Sequence, residues 1–261
     1  MELRALGSTG IRVSPLGLGT VKLGRNQQVK YPSAFELPQD DDVVRLLDLA
    51  RALGVNLLDT APAYGSSQQR LGRLLGARRK EWVIVSKVGE IFENGESRFD
   101  FSFEYTVETV EQSLLTLKTD YLDCVLIHSS GDDLQILGQE GALDALRELK
   151  RRGLIRSHGM SSKTVAGGLR VVQEMDVVMA TCNLDYNEEL PVLEAARAQG
   201  KGVLVKKGLM SGHVQGEQGV RRSFAHIFAQ PGVSSMIVGT INPAHLRDNV
   251  RLLDQVLEGA A

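Results

Sequence analysis

Apolar residues gather in short runs, and stretches with helical spacing separate them along the whole chain. The runs lie at 16–19 (LGLG), 56–60 (NLLDT), 82–87 (WVIVSK), 122–128 (LDCVLIH), 155–160 (IRSHGM), 177–183 (VVMATCN), 202–207 (GVLVKK) and 234–239 (SSMIVG). Several are almost continuously apolar, as strands covered on both faces must be. Between them, Asp40, Asp41 and Asp42 lead into Val43, Leu46, Leu47, Ala50 and Leu53, and Gly54 follows. Acids suit a helix N-terminus, the apolar spacing is helical, and glycine suits the stop. Val107, Val110, Leu114 and Leu117 make a second apolar stripe, and Leu143, Leu146 and Leu149 a third. Asn242-Pro243 reads as an N-cap and first-turn proline before Leu246, Val250 and Leu253.

Strict alternation of strand and helix predicts parallel strands joined by crossover helices. Eight units in 261 residues favour a closed α/β barrel, the single-domain (β/α)8 TIM barrel, over an open sheet. One barrel domain is expected over 1–261. Residues 1–14, centred on GSTG, predict a β-hairpin outside the barrel. The segment 20–40 is long for a βα connection and holds Lys22, Lys30, Tyr31 and Phe35. Long connections of this kind often serve as lids or binding loops.

Composition narrows the function classes. With 43% hydrophobic and 24% charged residues, the chain reads as an ordinary soluble globular protein. A net charge of −2 without charge blocks gives no support for nucleic-acid or membrane binding. Neither a signal peptide nor a membrane-spanning run is read in it. Cys124 and Cys182 sit in apolar runs and read as buried hydrophobes, which suits a cytoplasmic location. The histidines and acids do not cluster at the strand ends, so a metal-dependent hydrolase is disfavoured and no metal is expected.

Catalytic groups of such barrels sit at the C-terminal strand ends. There the sequence places Asp59, Lys87 and His128, with Tyr64 in the loop after Asp59. Each has a structural reading in isolation: a helix cap, a solvent-reaching lysine, a hydrogen-bonded histidine, a packed loop aromatic. Four polar residues at three consecutive strand ends favour chemistry. Carbonyl reduction needs a hydride on one side and a proton at the oxygen. A free tyrosine, with a pKa of about 10, is too weak an acid to serve both directions near neutrality. Lys87 is expected to lower it, Asp59 to hold Lys87 charged, and His128 to donate a hydrogen bond to the carbonyl oxygen.

At these residues the chain resembles the aldo-keto reductases. NLLDTAPAYGSSQQRLGRLL is similar to their first signature, with Asp59, Tyr64, Gly65, Leu71 and Gly72 in register; VSKVG and LIH fit as well. The resemblance implies Tyr64 as general acid–base with Asp59, Lys87 and His128 as partners. It implies a small-molecule carbonyl or alcohol substrate, and a nicotinamide cofactor bound extended, without a GxGxxG turn. For the cofactor it implies contacts from Gly19, Thr20 and Asp59; from Ser161 and Ser162; from Asn183 and Tyr186 at the nicotinamide; from Lys206, Lys207, Gly208, Leu209 and Ser211 in a loop over the pyrophosphate; and from Gly239, Thr240, Asn242, His245, Asp248 and Asn249 at the adenosine phosphate. For the 159–162 and 206–212 segments, ordinary strand-end turns are the alternative.

The sequence departs from the family pattern in places. Gln68 stands where an acid is usual. Gly239 and His245 stand where NADP-selective members carry Lys and Arg, which weakens recognition of a 2′-phosphate. NADP(H) is therefore favoured only on family habit, with NAD(H) the alternative. The sequence ends soon after its last helix, so substrate recognition is expected to rest on other loops. A sugar or alcohol dehydrogenase, and a nicotinamide-binding regulatory protein with little turnover, remain alternatives. The oligomeric state is left open.

Overall fold

The computed structural model describes residues 1–214 and 216–259; Gln215, Ala260 and Ala261 lie outside the described residues. A short antiparallel hairpin, β1 (Arg4–Ala5) and β2 (Arg12–Val13), comes first. Then follow β3 (Leu16–Gly19), α1 (Val21–Gly24), α2 (Asp40–Ala52), β4 (Leu57–Asp59), α3 (Ser67–Leu74) and β5 (Val83–Val88). A second hairpin, β6 (Glu90–Glu93) and β7 (Glu96–Phe99), precedes α4 (Phe103–Leu117) and β8 (Cys124–His128). The chain continues through α5 (Asp133–Gln139), α6 (Ala142–Arg151), β9 (His158–Ser161), α7 (Val165–Glu174), β10 (Val177–Thr181), α8 (Leu190–Ala198) and β11 (Gly202–Lys206). It ends with α9 (Gly216–Phe228), β12 (Val233–Val238) and α10 (Pro243–Glu258).

Strands β3, β4, β5, β8, β9, β10, β11 and β12 close into a parallel barrel, the (β/α)8 fold. Each overlaps one of the eight apolar runs. The least regular run, 155–160, shifts most: Ile155 only bridges to Leu122, and the strand begins at His158. Helix signals hold as well. Asp40, Asp41 and Asp42 occupy the first turn of α2, and Gly54 stops it at φ +83°. The Asn242 side chain accepts a hydrogen bond from Ala244 N, capping α10.

Two apolar layers hold the barrel. Leu57, Val83, Val85, Cys124, Leu126, Val177, Met179 and Leu204 form an inner cluster with Leu6, Ile11 and Val13 of the N-terminal hairpin. That hairpin therefore plugs the N-terminal end of the barrel, which leaves the opposite end for a site. The outer cluster joins alternate strand residues such as Leu58, Ile84, Val125 and Ile127 to the helices. Both cysteines are buried and free. Among the described residues no helix is long and apolar enough to cross a membrane.

The β6–β7 hairpin is not anticipated above. Its turn is Asn94-Gly95, both at positive φ (53° and 83°), as a tight two-residue hairpin turn requires.

Candidate active site

Strand periodicity delivers the polar groups to one place. Side chains of a strand alternate faces. In β5, Val83 and Val85 point into the barrel, so Lys87 does too; Leu57 likewise sets Asp59, and Cys124 and Leu126 set His128. Register then aligns the ends: Gly19 pairs with Asp59, His128 with Ser161, and Thr181 with Lys206.

Lys87 is 2% exposed, and its Nζ donates to Asp59 Oδ1 at 2.5 Å and to Thr60 O at 3.0 Å. It lies 4.8 Å from the centre of the Tyr64 ring. The Tyr64 and His128 rings meet edge to face with centres 6.3 Å apart. Tyr64 is held by its loop. Gly65 has φ +58°, and a Cβ there would fall 2.2 Å from Gly24 O; a Cβ on Gly24 would fall 2.4 Å from Tyr64 O. Only hydrogen fits between α1 and this loop. Beneath it, Ser67 Oγ donates to Thr20 Oγ1, and Gln68 Nε2 donates to Ser86 Oγ beside Lys87.

Burial and charge oppose each other at Tyr64. Burial raises its phenol, Lys87 lowers it, and Asp59 raises it again, leaving it pushed up to about 12. The expected pull of Lys87 is present, but the net lowering is not. The cost of a buried phenolate outweighs a cation already shared with a carboxylate. Burial also disfavours the Lys87 ammonium, yet Asp59 and Tyr64 more than offset this, and its pKa lies above the ordinary lysine value.

His128 brings a partner that the sequence reading misses. Glu90, the first residue of β6, places Oε2 2.7 Å from His128 Nδ1, at an angle that departs from ideal hydrogen-bond geometry. Arg25 Nη1 stands 3.3 Å from Glu90 Oε1, and Ser97 Oγ of β7 donates to the same oxygen at 2.7 Å. Burial raises the Glu90 carboxyl, but His128, Ser97 and Arg25 bring it down to about 2. Burial sets His128 below the ordinary histidine value despite Glu90.

The four residues open into a cavity of about 670 Å³ that runs past the ends of β3, β11 and β12 to α10, within the size range of small-ligand sites. Of the cofactor residues expected above, Gly19, Thr20, Asp59, Ser161, Lys206, Lys207, Gly208, Leu209, Ser211, Gly239, Thr240, His245, Asp248 and Asn249 line it. Ser162, Asn183, Tyr186 and Asn242 do not. The Asn183 amide donates to Lys207 O and accepts from Asp185 N, and the Asn242 side chain is committed to its cap. Lys206, expected in the pyrophosphate loop, stands at the barrel end instead. Its Nζ donates to Ser161 Oγ at 2.8 Å and Ser162 O at 2.5 Å, and burial lowers its pKa to about 8. Arg251 also lines the α10 end, unanticipated from sequence.

The long first connection crosses this groove. The Tyr31 hydroxyl would lie 2.6 Å from a Cβ on Gly239, and Pro32 reaches within 3.5 Å of one on Gly212. Lys22 Nζ sits 3.9 Å over the Tyr31 ring. Among the described residues no group of three or more His, Cys, Asp or Glu is placed to hold a metal.

Comparison with known proteins gives a consistent picture. Residues 15–224 match the model of the aldo/keto reductase family. A solved structure assigned to the aldo-keto reductases, from Pseudomonas aeruginosa, is 52% identical, covers 98% of this chain and 96% of its own, and superposes with a TM-score of 0.91. L-galactose dehydrogenase of Arabidopsis thaliana is 32% identical over 226 residues, 81% of this chain and 66% of that protein, so the chain spans just under two thirds of its length. NADH-specific methylglyoxal reductase of Escherichia coli (strain K12) is 30% identical over 234 residues, 82% of this chain and 70% of its own.

Proposed function

The chain belongs to the aldo/keto reductase family of oxidoreductases, and on that premise we propose that it reduces an aldehyde or ketone to an alcohol with a nicotinamide cofactor. One observation carries the reading: the buried Lys87–Asp59 pair lies against Tyr64 at the mouth that His128 also lines. A pure binding role needs no such relay, which weighs against a regulatory protein.

The residues fit a dinucleotide. The cavity is lined both by Tyr64 and by residues of α10. Lys206 and Lys207 face it with no ion-pair partner among the described residues, as groups awaiting polar ligand atoms would. Ser161 and Lys206 would hold the carboxamide end, Lys207 to Ser211 the pyrophosphate, and His245, Asp248 and Asn249 the adenosine. When bound, the reduced nicotinamide supplies the hydride. Tyr64 gives its proton to the carbonyl oxygen, and a phenol pushed up to about 12 holds that proton throughout the neutral range. Lys87 then stabilises the phenolate formed. Asp59 keeps Lys87 charged and in place.

The raised phenol stays in its acid form, the form that reduction uses, at the cost of being a weaker proton donor, whereas oxidation needs the phenolate first. NADP(H) is the cofactor we favour on family habit, with Thr240, His245 and Arg251 lining the α10 end, the last ion-paired with Glu217 and Asp248. NAD(H) is the alternative, with Gly239 and His245 in place of stronger cations. Dehydrogenation of a sugar or alcohol is the second reading, and the likeness to a galactose dehydrogenase supports it.

A panel of aldehydes, ketones and sugars, run in both directions with NADPH and NADH and read by nicotinamide absorbance, tests this. Carbonyl-dependent oxidation of NADPH is expected. Absence of turnover with every carbonyl, or turnover only of alcohols with NAD, contradicts the reductase reading.

A further inference from the structure

The fold spends an added hairpin to bring a carboxylate to the back of His128. Glu90 leads β6, directly after the barrel strand that carries Lys87, and its side chain has three partners: His128, Arg25 and Ser97. Arg25 is itself fixed, donating to the carbonyl oxygens of Ala63, Gln27 and Gln28, and its guanidinium lies 3.4 Å over the Phe92 ring. Glu90 is thus clamped from the tyrosine loop, the first connection and its own hairpin. His128 Nδ1 is buried, and apart from the 2.7 Å approach of Glu90 Oε2, off the ideal angle, it has no hydrogen-bond partner among the described residues. The ring borders the cavity, and Nε2 is not among the buried unpartnered atoms.

A carboxylate can only accept. Opposite an ionised Glu90, a bare Nδ1 lone pair would face negative charge at 2.7 Å. The stable arrangement puts the proton on Nδ1, as carboxylates do for many functional histidines. Resting on the oxidoreductase reading, we propose that Glu90 is a positioning residue that fixes His128 as the Nδ1–H tautomer. Nε2 then meets the reacting oxygen as an acceptor while the ring is neutral, and donates to a carbonyl only as imidazolium.

This changes the role expected for His128. A neutral His128 orients an alcohol hydroxyl by accepting from it. Donation to a carbonyl grows as the ring protonates. The groups facing the ring set that balance. Lys87 from β5 and Lys206 from β11 oppose the imidazolium, and burial opposes it more; Glu90 favours it. Asp59 is committed to Lys87, and Tyr64 is uncharged in the neutral range. Glu90 is therefore the one acid in direct contact with the ring among the described residues. A side chain that only held the hairpin down would leave the tautomer alone.

The test is nitrogen NMR on the full chain with 15N-labelled histidine, the His128 signal assigned by its loss in His128→Gln. The wild type is expected to show protonated Nδ1 and bare Nε2 near neutral pH. Glu90→Ala is expected to lose that preference. Glu90→Gln, isosteric and suited to keeping the hairpin, is expected to move His128 titration to lower pH by about one unit, with any acid-side gain in carbonyl reduction moving by the same amount. A wild-type His128 protonated on Nε2, or a tautomer and titration unchanged in both variants, overturns the proposal. Since the spectra need no substrate, they decide the tautomer even if no carbonyl is ever turned over, so failure of the oxidoreductase reading is distinguishable.

Discussion

In the proposed reaction, Tyr64 and Lys87 set the pH behaviour. The Tyr64 phenol is raised by burial, so its acid form persists through neutrality. Carbonyl reduction should be insensitive to Tyr64 ionisation there, whereas alcohol oxidation, which starts from the phenolate, should climb about tenfold per pH unit below the tyrosine pKa. Lys87→Met removes the cation that lowers the phenol and leaves Asp59 unpaired beside it; both changes raise the tyrosine further. Oxidation at about pH 8 is expected to fall by tenfold or more, and its rising limb to shift to higher pH. Rates in both directions across pH check this; an unshifted limb contradicts the coupling. Which residues could serve was legible in the sequence, because Asp59, Lys87 and His128 end apolar strands. The net sign at Tyr64 was not, because desolvation depends on how deeply the loop packs. Glu90 was not either: its contact with His128 joins residues far apart in the chain.

At the scale of elements, close approach of α1 to the loop before α3 places the phenol. Gly65→Ala forces a Cβ into Gly24 O at a φ of +58°. Left-handed strain of this kind costs about 1–3 kcal/mol, and the clash adds to it. Turnover should fall more than stability, because Tyr64 is the neighbour displaced. Gly54→Ala is the control: φ is +83°, but nothing lies within 4 Å of its Cβ position, so a loss of about 1 kcal/mol with turnover unchanged is expected. Urea melts and kcat of both variants check this; equal turnover in the two contradicts the placement argument. The barrel strands were readable because two-sided burial leaves near-continuous apolar runs. The β6–β7 hairpin also had a signal, Asn94-Gly95 between Ile91-Phe92 and Phe99, but it is half exposed and lacks a long apolar run. The regularity of the βα pattern left no place for it.

Across the whole molecule, the N-terminal hairpin closes one end of the barrel and the βα loops build a groove at the other. That polarity gathers Tyr64, Lys87 and a set of polar groups in one cavity. It also explains why the groove-lining residues were less legible than Asp59, Lys87 and His128: strand ends have fixed directions, whereas loop side chains such as Asn183 and Asn242 can be used up by their own backbone. In the proposed reaction Tyr64 supplies the proton and is not needed to hold the cofactor. Tyr64→Phe, compared with wild type for NADPH binding by nucleotide fluorescence and for carbonyl-dependent oxidation of bound NADPH in a single turnover, tests it most directly. The expected result is a dissociation constant within about threefold of wild type and a turnover rate lower by about a thousandfold or more, the order expected for losing an acid and its stabilised anion. Turnover retained at near wild-type rate, or lost only because NADPH no longer binds, would contradict it.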